Sequence, residues 1–125
     1  TDILCSNLAG TKFVHIQVKT FVPGIRTCSV GLKSERGFGD NFFWVLAGIP
    51  PPSRQSEFVY YVIPSAEIAR NVTESHKKWL SEIGQNGRER RDSKVRTVAI
   101  PPYRCYNGWS IESYCGRWDL IEAKL

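Results

Sequence analysis

The sequence predicts a β-rich mixed α/β domain with one long helix. Three observations lead there. The segment Lys12–Lys19 alternates with period two: Val14, Ile16 and Val18 share one parity, and Phe13, His15, Gln17 and Lys19 share the other. The runs Phe42-Phe43-Trp44-Val45-Leu46 and Phe58-Val59-Tyr60-Tyr61-Val62-Ile63 are aromatic and β-branched, which suits buried central strands. After Ser65, the residues Ile68, Val72, Trp79, Leu80 and Ile83 recur at roughly helical spacing.

Taken in order, Asp2–Cys5 and Lys12–Lys19 read as the strands of a hairpin. A turn around Ala9-Gly10 pairs Leu8 with Thr11, and therefore Asp2 with Gln17, Ile3 with Ile16 and Cys5 with Val14. The apolar residues then match, and Asp2 lands on the face of Gln17 and Lys19. A slip of one residue would turn Asp2 to the apolar side. Phe21–Arg26 holds Pro23-Gly24 and reads as a loop, and Thr27–Leu32 as a short strand. Lys33–Asn41 is polar with Gly37 and Gly39, so a flexible connection is expected. Ile49-Pro50-Pro51-Pro52-Ser53 makes a stiff turn between the two central strands. Ser65 after Pro64 is the expected N-cap of the helix, which should end near Gly84. The hydrophilic, arginine-rich stretch 85–94 reads as a mobile loop, and Val95–Ile100 as another short strand closed by Pro101-Pro102. The tail from Tyr103 to Leu125 should pack over the sheet with a turn of helix near Trp118-Asp119-Leu120.

The 125 residues make a single domain, 1–125, with 42% hydrophobic and 23% charged residues, long enough to bury a core. The net charge is +5 and the pI about 9.2, a balance that favours polyanionic partners without specifying one. Cys5, Cys28, Cys105 and Cys115 contain no C-x-x-C, which argues against a zinc knuckle. Reduced thiols and a cytoplasmic setting are expected, with a Cys105–Cys115 disulfide as the exception to check. Asn71-Val72-Thr73 fits the glycosylation sequon, which is without consequence in a reducing compartment. No run is long enough to cross a membrane, and no signal peptide is visible. Thr1 is not Met and already reads as sitting in a strand, so the chain is expected to be a fragment or a trimmed product. No P-loop, dinucleotide fingerprint or Ser-His-Asp arrangement is present, which leaves kinase and serine-hydrolase readings without support.

The hairpin carries the most specific chemistry. Phosphodiester hydrolysis needs a nucleophilic water and neutralisation of developing negative charge, and a divalent ion supplies both. Magnesium prefers hard oxygen ligands and keeps several waters. Asp2 offers a carboxylate, Gln17 an amide oxygen and Val18 its backbone carbonyl. Lys19, on the same face, would orient water and offset phosphate charge. His15 and Phe13 share that face and would shape a groove. The competing reading is a solvated hairpin with ordinary polar residues outside. Glu35 and Asp40 are candidates for a substitute acid.

Thr1-Asp2 followed by Gln17-Val18-Lys19 resembles the catalytic hairpin of the PD-(D/E)xK nuclease superfamily, in its variant with Gln for the second acid. Ile16-Gln17-Val18-Lys19-Thr20, the Phe58–Pro64 segment running into Ser65-Ala66-Glu67, His76-Lys77-Lys78-Trp79-Leu80 and Arg117-Trp118-Asp119-Leu120 together look like a group of small bacterial proteins of that fold. The resemblance implies a restriction-endonuclease-like mixed central sheet flanked by helices, lacking here the N-terminal helix that usually precedes the Asp2 strand. It implies cleavage of DNA with Mg²⁺ or Mn²⁺. Asp2, Gln17 and Lys19 would be catalytic, and Asp2, Gln17 and Val18 would hold the metal. Dimers are common in such nucleases, so a homodimer is carried along with it. With one acid only, a degenerate nuclease fold that binds DNA or a protein partner without cutting stays open, as does an interaction domain that meets no nucleic acid.

Arg88, Arg90, Arg91 and Lys94 form the densest basic segment and, with His15, are the candidate DNA-contacting residues. Glu89 and Asp92 interrupt the segment, as a solvated loop would. His76-Lys77-Lys78 suits the negative end of a helix dipole as well as it suits DNA. Tyr103, Tyr106, Trp109 and Tyr114, in the irregular tail, are better placed to be exposed base-stacking residues than the strand aromatics.

Overall fold

The opening hairpin folds in the expected register, with Ile3 and Leu4 of its first strand left exposed. In a computed structural model that describes residues 2–84 and 87–125, β1 (Asp2–Ser6) runs antiparallel to β2 (Phe13–Phe21). Thr1, Gln85 and Asn86 lie outside the described residues, and with them the start of the expected 85–94 loop. Asp2 faces Gln17, Ile3 faces Ile16 and Cys5 faces Val14. The turn is fixed by Asn7, whose Oδ1 accepts hydrogen bonds from the backbone N–H groups of Thr11 (2.9 Å) and Lys12 (3.3 Å). Gly10 takes φ 67°, a left-handed conformation that glycine adopts without steric cost.

Among the described residues the main sheet is four-stranded and mixed, in the order β1-β2-β4-β5. β4 (Phe42–Gly48) lies parallel to β2 and antiparallel to β5 (Val59–Pro64). A second ribbon pairs β3 (Thr27–Ser29) with β6 (Thr97–Ala99). The protein is thus a small mixed α/β domain, as its sequence predicts. Both short strands are trimmed relative to the expected Thr27–Leu32 and Val95–Ile100.

Both faces of the sheet are covered. On one, Phe21, Phe42, Trp44, Leu46, Tyr61 and Ile63 pack with Ile68 and Val72 of helix α1 (Ser65–Ser81) and with Cys28, Val98 and Ala99 of the β3/β6 ribbon. On the other, Val14, Ile16, Phe43, Val45 and Val62 pack with Ile121 of α2 (Asp119–Glu122), flanked by Leu120 and Leu125. The tail helix and its packing over the sheet are where the sequence places them. The sidedness of β2 is corrected, however. The parity read as mostly polar and outward, with His15, Gln17 and Lys19, belongs to the face of the larger cluster, and Gln17 is only 6% exposed. Two strands flank β2 and layers lie on both sides, so Gln17 is enclosed, while His15 and Lys19 keep part of their surface accessible.

Two expectations about connections also change. Lys33–Asn41 is no loose linker: Leu32–Glu35 forms a 3₁₀ turn with Ser34 wholly buried, its Oγ donating to the Gly31 carbonyl at 2.7 Å. Ser65 does not cap α1. Pro64 occupies the cap position, and Ser65 Oγ instead accepts from the Phe38 N–H and donates to the Gly39 carbonyl, both at 3.3 Å. The hydroxyl therefore ties the incoming loop to the helix start. Asn71 is also buried, donating to the Glu67 carbonyl and accepting from Asn107, so the sequon asparagine is part of the core.

Gly48 shows how tightly β4 is packed. A Cβ there would stand 2.6 Å from Val59 Cγ1 and 2.9 Å from two ring atoms of Phe21, its register partners on either side. Gly48→Ala is expected to cost about 1–3 kcal/mol, read as a lower denaturant midpoint at unchanged slope. An unchanged midpoint would show that the Phe21 ring gives way freely.

Candidate functional site

The β1/β2 pairing brings Asp2, His15 and Gln17 together on one face. Asp2 and Gln17 are cross-strand partners, and the Asp2 side chain keeps 55% of its surface accessible. His15 Nε2 lies 3.8 Å from Asp2 Oδ1. Its ring stacks on Phe42 at 4.4 Å between centroids, and Phe42 stacks in turn on Phe38 at 4.6 Å. The result is an aromatic floor beside a carboxylate. His15 Nε2 is itself enclosed with no hydrogen-bond partner among the described residues.

A residue absent from the sequence-level site enters here. Lys33, on the 3₁₀ turn, donates from Nζ to Gln17 Oε1 at 3.2 Å. Its ammonium lies 5.6 Å from the Phe38 ring centroid and 6.0 Å from that of Phe42. No local motif marks Lys33, because it belongs to a polar stretch with Lys, Glu and Arg in close succession. Only the tertiary fold brings it to Gln17.

Lys19 is the next residue of the same parity along β2 and is partly buried. It stands near enough to Cys28 of β3 to act on that thiol electrostatically. Burial dominates and pushes Cys28 up to about 11, and the lysine charge opposes it. Val18 occupies the opposite parity, so its side chain belongs to the second cluster and any contribution to the site is through its carbonyl.

The other acid candidates are drawn away. Glu35 Oε2 lies 3.1 Å from Arg96 Nε, in an ion pair with a 6% exposed arginine side chain. Asp40 borders a hollow with Phe43, Leu120 and Lys124, on the α2 side of the sheet. Asp2 is therefore the carboxylate that this constellation offers. Among the described residues no group of three or more His, Cys, Asp and Glu side chains could hold a metal ion. The donor set is a carboxylate, an amide oxygen and an enclosed imidazole nitrogen. Only the carboxylate and the amide oxygen are hard oxygen donors, so an ion held here would draw most of its shell from water and phosphate. Gln17 Oε1 is held by the Lys33 ammonium.

The basic segment divides. Arg88, Arg91 and Lys94 are exposed. Arg90 is engaged, donating to the Trp79 carbonyl at 2.8 Å and lying over the Trp79 and Tyr106 rings, so its expected availability to DNA is corrected. The described part of the loop is tethered rather than loose. Asp92 Oδ1 meets His76 Nε2 at 2.8 Å and Arg96 Nη2 at 3.8 Å. His76 is thus accounted for by Asp92. Tyr103 and Tyr106 are exposed as expected, whereas Trp109 and Tyr114 pack against the core. No helix among the described residues is long and apolar enough to cross a membrane.

Comparison of the chain with protein-family models, with curated proteins and with solved structures finds no match. The chemistry of the site therefore rests on its geometry.

All four cysteines are free, and the Cys105–Cys115 bridge is not formed: Cys105 is buried and Cys115 exposed. Burial raises Cys105 as it raises Cys28. At pH 8 Cys28 should hold on the order of one thiolate in a thousand. Titration with a chromogenic disulfide at that pH should modify Cys115 first, and Cys28 and Cys105 only after denaturant is added. Early modification of Cys28, mapped by mass spectrometry, would contradict the placement of β3 against the sheet.

Proposed function

We propose that the chain is a divalent-metal-dependent nuclease domain that hydrolyses DNA phosphodiester bonds, with a PD-(D/E)xK-like site in which glutamine stands for the second acid. The observation that carries this reading is the hairpin register: Asp2 opposite Gln17, with Lys19 next on the same face. Asp2 and Gln17 would hold the ion, with the Val18 carbonyl as a further oxygen. When bound, Mg²⁺ or Mn²⁺ supplies Lewis-acid neutralisation of the phosphate and a more acidic water. Lys19 would orient a water and offset phosphate charge. His15, on its aromatic floor beside Asp2, shapes the groove. The exposed Arg88, Arg91 and Lys94 extend the basic surface that a DNA backbone would follow. The net charge of +5 favours the same partner, and the free thiols are compatible with the reducing setting of a cytoplasmic nuclease.

One feature favours a second reading, a nuclease-like module that binds DNA without cutting it. The site holds a single carboxylate, and a lysine is bonded to the amide that replaces the other. The two readings divide on metal and cleavage.

With Mg²⁺ or Mn²⁺ and a mixture of linear, supercoiled and single-stranded DNA, the protein should cut. Asp2→Ala and Lys19→Met should each lower the rate about a hundredfold or more and leave the circular dichroism spectrum unchanged. Absence of any cleavage, with DNA binding that weakens steeply with salt, would replace the enzyme by the binding module. Gln17→Glu supplies the second carboxylate beside Lys33 and is expected to tighten metal binding and raise the cleavage rate. A fall in both would show that the Gln17 position does not meet the ion.

A further inference from the structure

A cavity of about 470 Å³ lies between α1, β6 and the tail, and it shares no residue with the hairpin site. Val72, Ser75, His76 and Trp79 of α1 form one wall, and their spacing puts them on a single helix face. Thr97 and Ala99, alternate residues of β6, form a second. Arg104 and Tyr106 come from the tail. The lining is mostly apolar, with a few charged groups among it. Cavities that take small molecules hold about 300–1,000 Å³ and have walls of this kind.

We propose that this cavity binds a small, flat aromatic molecule carrying one anionic group. The ring system lies against Trp79 and Tyr106, over the apolar surface of Val72 and Ala99. The anion meets the Arg104 guanidinium. The site needs neither the hairpin constellation nor a metal ion, so it stands or falls independently of the nuclease reading.

The aromatic wall is fixed before any ligand arrives. Trp79 stacks on His76 at 5.8 Å between centroids, and the Arg90 guanidinium lies 5.0 Å from the Trp79 centroid and 5.5 Å from that of Tyr106. The Tyr106 hydroxyl donates to Glu82 and accepts from Arg90. A wall set in advance lowers the ordering cost of binding. Charge selects the sign of the ligand. Among the described residues no carboxylate lines the cavity, whereas His76, Arg96 and Arg104 do. His76 is engaged by Asp92, and Arg96 by Glu35. Arg104 has no acid partner among the described residues. Its Nη1 donates to the Gly108 carbonyl at 3.1 Å, and the rest of its fork is open to a carboxylate.

Calorimetric titration of the whole chain with naphthoate, and with its neutral isostere naphthamide, tests this. Naphthoate should bind one-to-one with a Kd of about 1 mM or tighter, and naphthamide about fivefold more weakly. Arg104→Gln changes an exposed side chain and should weaken naphthoate about fivefold while leaving naphthamide unchanged. Thr97 is also exposed, so Thr97→Phe should fill the cavity, keep the circular dichroism spectrum and abolish binding of both probes. The proposal is overturned if naphthoate does not saturate in that range, or if the two probes bind equally. It is overturned as well if Arg104→Gln leaves naphthoate affinity untouched, or if Thr97→Phe with a native spectrum still binds. Should Thr97→Phe lose the native spectrum, Arg104→Gln and the pair of probes decide alone.

Discussion

The enclosure of β2 is the constraint on which the rest depends. β1 and β4 pair with its two edges, and packed layers lie over its two faces. Its side chains are therefore fixed by alternation. Val14 and Ile16 must take the α2 side, and His15, Gln17 and Lys19 must take the α1 side. A register slip would exchange those sets and bring polar groups into an apolar layer, at a cost of several kcal/mol. The pairing that brings Cys5 over Val14 in the second cluster also brings Asp2 to Gln17.

Enclosure gives the polar groups their character. A glutamine on a solvated hairpin would exchange partners with water. Gln17 is buried and bonded to an ammonium, so its amide oxygen is oriented before any ligand arrives. Asp2, at the edge strand, stays accessible. The site thus combines a rigid neutral oxygen with an approachable charged one, above a floor formed by His15, Phe42 and Phe38. The 3₁₀ turn completes it from outside the hairpin, and Arg96 anchors that turn through Glu35 while also approaching Asp92 of the basic loop. Ion pairs therefore run from the 3₁₀ turn through Arg96 to the basic loop.

Much of this was legible in the residues, for identifiable reasons. The hairpin could be read because Cys5 and Val14 match in that register, and the central strands because Phe42–Leu46 and Phe58–Ile63 are apolar and aromatic throughout, although Phe58 itself stays outside β5 and exposed. The role of Asn7 in setting the turn is a side-chain-to-backbone interaction that periodicity does not record. The true sidedness of β2 depends on Phe21 joining the larger cluster and on what covers the sheet, which lies far along the chain. Ser65 looks like a cap because sequence reports only its neighbours, whereas the partners of its hydroxyl are Phe38 and Gly39, more than twenty residues away. Lys33 is the clearest case. Nothing in a run of mixed charges distinguishes one lysine from the next until Glu35 is bound to Arg96 and the turn directs Lys33 to Gln17.

In the proposed nuclease, one carboxylate and one buried amide oxygen define an ion position facing DNA. Crystals grown with a short DNA duplex and Mn²⁺, measured at the manganese absorption edge, test it most directly. An anomalous peak within coordination distance of both Asp2 and Gln17 oxygens, with a phosphate oxygen in the same shell, is the expected result. DNA bound elsewhere on the surface, or manganese held away from Asp2 at full occupancy, would contradict it.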